Sequence, residues 1–114
     1  MRRIKTLKMN YEFKNVFTRG EYYIGRQVII YFLKNKYDYN RMGIAISSKL
    51  CKAVKRNRLK RLIRASYQGF KFKDTGTHYD IVFVWNKKVN ILDASFERIG
   101  KDLNKAFLKY GIIE

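Results

Sequence analysis

The sequence has no proline, no internal repeat and no low-complexity stretch, so nothing marks a linker, and residues 1–114 read as a single domain. One cysteine, Cys51, excludes an intramolecular disulfide and any zinc site built from several cysteines. It reads as a small, half-buried side chain in a reducing compartment. No apolar run is long enough to cross a bilayer. The opening Met1-Arg2-Arg3-Ile4-Lys5 is basic but lacks the apolar stretch of a secretory signal, so a cytoplasmic protein without a membrane is expected. Carboxylates are also scarce: Glu12, Glu21, Asp38, Asp74, Asp80, Asp93, Glu97, Asp102 and Glu114 are scattered, and only Asp93 and Glu97 share a helix-face spacing, that of an ordinary first turn. A hydrolytic nuclease needs a general base or a carboxylate cage for metal. With a lone histidine, His78, at a strand start and read as structural, the chain looks like a binder without its own catalytic groups or metal ligands.

What is abundant is positive charge. Lys and Arg number 26 against 9 Asp and Glu, a net charge of +17, in a chain that is 46 % hydrophobic and so able to build a core. A compact domain with that much like charge repels itself until a polyanion neutralises it. Periodicity predicts a short helix from Asn10 to Gly20, with Asn10 as N-cap and Gly20 in a left-handed C′ position. An edge strand at residues 22–24 and a strand from Gln27 to Lys34, apolar on both faces, should follow, then a return strand from Met42 to Ser47 completing a hairpin. Val54 to Phe70 reads as a helix whose stripe is Leu59, Leu62, Ile63, Tyr67 and Phe70, with Ser66 inside it. His78 to Trp85 is a strand with Tyr79, Ile81, Phe83 and Trp85 on one face. A last helix runs from about Asp93 to Tyr110 through Phe96, Ile99, Leu103 and Phe107, closed by Gly111. The order gives an α+β fold, helices packed on a mixed sheet.

Between Lys49 and Arg64 stand Lys49, Lys52, Lys55, Arg56, Arg58, Lys60, Arg61 and Arg64, and no acidic residue occurs between Asp38 and Asp74. At roughly 100° per residue, Asn57, Arg61, Arg64 and Gln68 line up opposite the Leu59–Ile63 stripe, with Arg58 and Lys60 beside them. A solvated helix face normally mixes signs to gain i,i+4 pairs. Here none is available, and Lys52, Lys55, Arg56 and Arg58 crowd the positive end of the helix dipole, where each cation costs a few tenths of a kcal/mol to about 1. A bound phosphate would reverse that sign. This face is expected to bind nucleic acid. Phe13, Phe17 and Tyr31 are a second candidate: periodicity fits core packing, while aromatic rings beside Lys14 and Arg19 also fit a stacking platform for unpaired bases.

The stretch Lys52-Ala53-Val54-Lys55-Arg56-Asn57-Arg58-Leu59-Lys60-Arg61-Leu62-Ile63-Arg64 resembles the signature helix of the ribonuclease P protein family in every slot. Leu7, the Phe13-x-x-Val16-Phe17 helix, Gly20, Arg26, Tyr31, Arg41-Met42-Gly43, Ser47 and the aliphatic strand after Asp80 agree along nearly the whole chain. Departures are Cys51, where the family usually has Gly, Ser48, where it has Lys or Arg, and Trp85-Asn86. The resemblance implies a two-layer α/β sandwich of three helices on a mixed four-stranded sheet. It also implies a left-handed βαβ crossover around the basic helix, against the right-handed rule that periodicity alone would follow. It further implies a protein subunit of ribonuclease P that binds a catalytic RNA through Lys52, Lys55, Arg56, Asn57, Arg58, Lys60, Arg61 and Arg64. The 5′ leader of precursor tRNA would lie in a cleft at Phe13, Phe17 and Tyr31, and the chemistry would belong to Mg2+ held mainly by the RNA. No obligate protein partner is evident. The alternative is a ribosomal or other structured-RNA binding protein with no associated reaction.

Overall fold

A computed structural model describes residues 4–114; Arg2 and Arg3 of the basic opening lie outside the described residues. The elements are α1 (Asn10–Arg19), β1 (Glu21–Ile24), β2 (Val28–Lys34), β3 (Arg41–Ala45), α2 (Ala53–Gln68), β4 (Tyr79–Trp85), a 3-10 turn (Ile91–Asp93) and α3 (Phe96–Lys109). They build one mixed sheet in the order β1-β2-β4-β3, in which β1, β2 and β4 run antiparallel in succession and β3 pairs parallel with β4.

That order corrects the expected hairpin: β3 is not the partner of β2. β4 inserts between them because it is apolar on both faces. Ile81, Phe83 and Trp85 are buried on one side and Val82 on the other, which only a central strand can satisfy. β3 is left outside, and its other side is met by the N-terminal segment: Met42 donates to the Lys5 carbonyl, and Leu7 donates to the Met42 carbonyl, both at 2.9 Å.

Alternation along β2 and β4 divides the interior in two. Val28, Ile30, Phe32, Ile81, Phe83 and Trp85 face α2 and α3 and form the main core with Leu59, Ile63, Leu103 and Phe107. Tyr31, Leu33, Val82 and Val84 face the other way, where α1 covers part of the sheet through Val16 and Phe13. Leu62, expected within the α2 stripe, is only half-buried at its margin, and Phe70 lies beyond the helix end while still packing on the core.

Local chemistry sets the ends. Asn10 is not the cap of α1. Met9 is, and the Glu12 carboxylate accepts the backbone N–H groups of Lys8 and Met9 at 2.9 and 2.8 Å. Gly20 is not left-handed but extended (φ −84°, ψ 166°). Its lack of a side chain matters for another reason: a Cβ there would sit 2.6 Å from the carbonyl oxygens of Val16 and Phe32, so only glycine lets α1 turn this tightly into β1. α3 starts three residues later than expected, since Asn90 caps the short 3-10 turn and Ser95 caps the helix proper, which takes Asp93 off the helix. Gly111, at φ +68°, closes α3 as expected.

A candidate nucleic-acid interface

α2 docks on the sheet through Leu59, Ile63, Ser66 and Tyr67, all buried. Its opposite side carries Asn57, Arg61, Arg64 and Gln68, all exposed, with Lys52, Lys55 and Arg58 also exposed and Lys60 partly covered. Arg56 is the exception within the motif. It turns back half-buried, and its guanidinium donates to the Cys51 carbonyl at 2.7 Å, bracing the loop into the helix. In that loop Cys51 does not adopt a positive φ. The chain turns instead through Ser47, whose carbonyl accepts from Leu50 N and whose Oγ accepts from Lys49 N, each at 3.1 Å.

Among the described residues no acid pairs with this charge. The N-cap, Lys52, makes no side-chain cap, and the first turn of α2 holds no acid. Among the described residues the ion pairs all belong to Arg41, which binds Glu12 on one side and Asp80 on the other (Nη2 to Oδ2, 2.7 Å). An array of guanidinium forks and ammonium groups beside an uncapped helix N-terminus has the chemistry that suits phosphates.

The aromatic candidates lie on the opposite face of the sheet. Phe17, 38 % exposed, meets Tyr31 edge-on with ring centroids 4.9 Å apart, and Tyr22 on β1 tilts against Tyr31 at 5.6 Å. Phe13 is placed differently. Its ring lies on the backbone of Gly43, where a Cβ would come within 2.6 Å of Phe13 Cε1, and it packs with Leu7, Val16 and Val82. The structure thus joins Phe17 and Tyr31 in an open surface and gives Phe13 largely to the packing beneath α1. Periodicity along the chain could not separate these roles. The extra ring, Tyr22, was missed because a four-residue edge strand gives little pattern.

Two further groups escaped the sequence reading. The Glu12–Arg41–Asp80 chain ties the start of α1 to β3 and β4, and Asn35 Nδ2 adds a bond to Asp80 Oδ1 at 2.9 Å. Hydrogen bonds from the Met9 and Lys8 amides, assisted by Arg41, hold the Glu12 carboxyl below its ordinary range, and Asp80 foremost raises Arg41 further. Asp102, buried on α3, accepts the backbone N–H groups of Arg26, Gln27 and Val28 at 3.0, 2.7 and 3.1 Å and so fixes the β1–β2 turn. Its sequence signal was an acid three residues from Ile99 and next to Leu103 in an apolar stripe. These carboxylates are committed to internal bonds. Among the described residues, no group of three or more His, Cys, Asp or Glu side chains is arranged to hold a metal ion. His78 borders a cavity of about 560 Å³ with Tyr39, Phe70 and Phe72; its carbonyl accepts from Asn35 N at 2.9 Å, and its ring Nδ1 is buried without a hydrogen-bond partner. No helix among the described residues is long and apolar enough to cross a membrane.

Comparison with known proteins agrees over the whole of this architecture. The profile of the family described as Ribonuclease P matches residues 1–111. A ribonuclease P protein component from Fusobacterium nucleatum is 42 % identical over 112 residues, covering 96 % of this chain and 100 % of the relative. Among solved structures, the RNase P protein of Staphylococcus aureus superimposes with a TM-score of 0.76 at 25 % identity, covering 98 % of this chain and 100 % of the other. That of Thermotoga maritima gives 0.76 at 25 %, covering 92 % and 96 %.

Proposed function

The chain belongs to the ribonuclease P protein family, and from that premise we propose how its two outward surfaces divide the work of the enzyme. It is the protein subunit of ribonuclease P and serves the maturation of tRNA 5′ ends, with an RNA subunit and a tRNA substrate as partners. In our reading, the outer row of α2 grips the RNA subunit. Lys52, Lys55, Arg58, Lys60, Arg61 and Arg64 neutralise its phosphates, Asn57 adds a neutral hydrogen-bonding group, and Arg56 shapes the entry to the helix. On the other face of the sheet, Phe17 and Tyr31, backed by Phe13, stack unpaired bases of the precursor's 5′ leader. Two opposite faces suit two different stretches of RNA. The work is cytoplasmic, where the tRNA is matured.

The observation that carries this reading is the α2 row itself: an exposed cationic face without an acid to balance it, on a helix whose inner face is fully committed to the core. Glu12, Asp80 and Asp102 are held by Arg41 or by backbone amides, and no three acids among the described residues gather into a metal cage, so we assign Mg2+ and the hydrolytic chemistry to the RNA subunit. The protein contributes affinity and placement.

The test is reconstitution. Precursor tRNA is incubated with magnesium and with protein, catalytic RNA or both, at a magnesium concentration where the RNA alone is slow. Leader removal that needs the RNA and is accelerated by the protein is the expected result; cleavage by the protein alone would overturn the division of labour. The cleft is tested by Phe17→Ala, which should weaken holoenzyme binding of precursor tRNA relative to mature tRNA by about 1–3 kcal/mol, the worth of one base–aromatic stack. If both affinities fell equally in an early-melting protein, Phe17 would belong to the core.

A further inference from the structure

An edge strand is normally blunted by charge, by a bulge or by a covering element. β1 instead presents Tyr22, a residue 57 % exposed. The register sets Tyr22 directly opposite Tyr31, with the ring centroids 5.6 Å apart and the planes tilted by 40°. Tyr31 in turn meets Phe17 at 4.9 Å and 85°. Three aromatic rings therefore form one row, running from α1 across β2 to the sheet edge. Packing alone does not account for its outer end, because a ring left more than half in water contributes little burial. The backbone that carries it is held: the Tyr110 hydroxyl donates to the Tyr22 carbonyl at 3.3 Å and ties the edge strand to the end of α3. Lys109 lines the groove at this edge with Glu21 and Tyr22, although its ammonium lies over the Tyr23 and Tyr110 rings, 5.7 and 5.9 Å away, and the exposed Arg19 at the end of α1 stands three positions before Tyr22 in the chain. Aromatic faces beside cations are what unpaired nucleotides need.

We infer that Tyr22 is a third stacking position, taking one more unpaired leader nucleotide beyond those held by Phe17 and Tyr31. This rests on the reading of Phe17 and Tyr31 as a leader surface. The tilts between the rings set a preference: bases resting on planes 40° and 85° apart are splayed from one another, so the row selects leaders that are unpaired and free to unstack.

The test uses reconstituted holoenzyme carrying wild-type protein, Tyr22→Thr, Tyr22→Phe or Phe17→Ala. Threonine keeps the β preference of the edge strand while removing the ring, and phenylalanine keeps the ring. Dissociation constants are measured for mature tRNA and for precursors whose leaders lengthen one nucleotide at a time. With Tyr22→Thr, affinity for precursors should fall about 5- to 20-fold once the leader reaches the site, with mature tRNA and the melting temperature unchanged. Tyr22→Phe should bind like wild type, and a leader folded into a hairpin should be insensitive to the substitution. A Tyr22→Thr variant that binds all precursors like wild type, while Phe17→Ala loses them, overturns the third position and leaves the leader surface standing. If neither variant distinguishes precursor from mature tRNA, the leader surface itself fails. Equal loss for precursor and mature tRNA with Tyr22→Thr also overturns the inference, because the ring would then be acting through the fold.

Discussion

Helices α2 and α3 lie side by side on the same face of the sheet, and Ser66 Oγ of α2 reaches the Phe96 carbonyl of α3 at 3.5 Å. Both bury an aliphatic stripe of the same kind, Leu59 and Ile63 in one, Ile99 and Leu103 in the other. Their electrostatics are opposite. α3 is capped by Ser95, which accepts from Arg98 N at 3.2 Å, has Glu97 in its first turn and carries Lys109 in its last. Each feature favours the free helix. α2 has no side-chain cap, no first-turn acid and no cation in its last turn, while Lys52, Lys55 and Arg56 crowd its N-terminus. Two helices in one layer of one small domain share the same core requirement, so the difference lies outside the core. α3 is arranged for the protein alone, and in our proposal α2 is arranged for a polyanion that supplies the missing negative charge.

The largest effect that can sharpen this contrast is ionic. If α2 and its surroundings neutralise roughly five to eight phosphates, log K for the catalytic RNA should fall against log salt with a slope of about −3.5 to −7, a loss of about 10²- to 10⁴-fold between 50 and 200 mM salt. Thermal stability should not fall in parallel, because salt screens the repulsion within α2. A slope near zero would remove the polyanion from the account. Next in size is the shared inner face. Leu59→Ala and Leu103→Ala should each cost about 2–5 kcal/mol in denaturant unfolding, both being fully enclosed. On that face the helices should behave alike. Smaller still, Arg61→Ala or Arg64→Ala should weaken association with the catalytic RNA by about 1–3 kcal/mol and leave the melting temperature almost unchanged. Arginine variants that melt early but bind RNA normally would mean that the faces are exchanged.

Much of this was legible in the residues because it is local. The α2 stripe and the cationic row opposite it follow from periodicity over sixteen consecutive positions, and the family motif sits within the same span. One face of β4, Tyr79, Ile81, Phe83 and Trp85, follows from alternation in the same way. What failed was non-local. β3 was assigned to β2 because a polar turn joins them, yet pairing was decided by β4, forty residues on, whose two apolar faces compete for the centre of the sheet. Gly20 was read as a left-handed cap, whereas its constraint comes from the Phe32 carbonyl pressing on it from the neighbouring strand. Asp102 and its amide partners are separated by 74 to 76 positions, and the division between Phe13 in the packing and Phe17 in the open depends on Gly43, thirty positions further along the chain.

The smallest predicted effect is the most direct on the comparison, since it rewrites α2 in the manner of α3. Lys52 occupies the N-cap with extended geometry, φ −69° and ψ 161°, which a capping aspartate can adopt without rearrangement. In Lys52→Asp the new carboxylate would accept a backbone N–H from Val54 or Lys55 and place a negative charge at the positive end of the dipole. Both changes favour the free helix, together by about 1 kcal/mol, which for a domain of this size is a rise in melting temperature of roughly 4 °C. The same substitution should weaken binding to the catalytic RNA and reduce the salt slope by about 1, because one phosphate contact is lost and the amides that would have received it are already engaged. Lys52→Ala separates the two parts: it removes the cation without supplying a cap, so the RNA loss should remain while most of the thermal gain disappears. A Lys52→Asp protein that melts no higher than wild type would show that the α2 N-terminus is not under electrostatic stress. One that melts higher yet binds RNA as tightly would show that the stress exists but that no phosphate relieves it there.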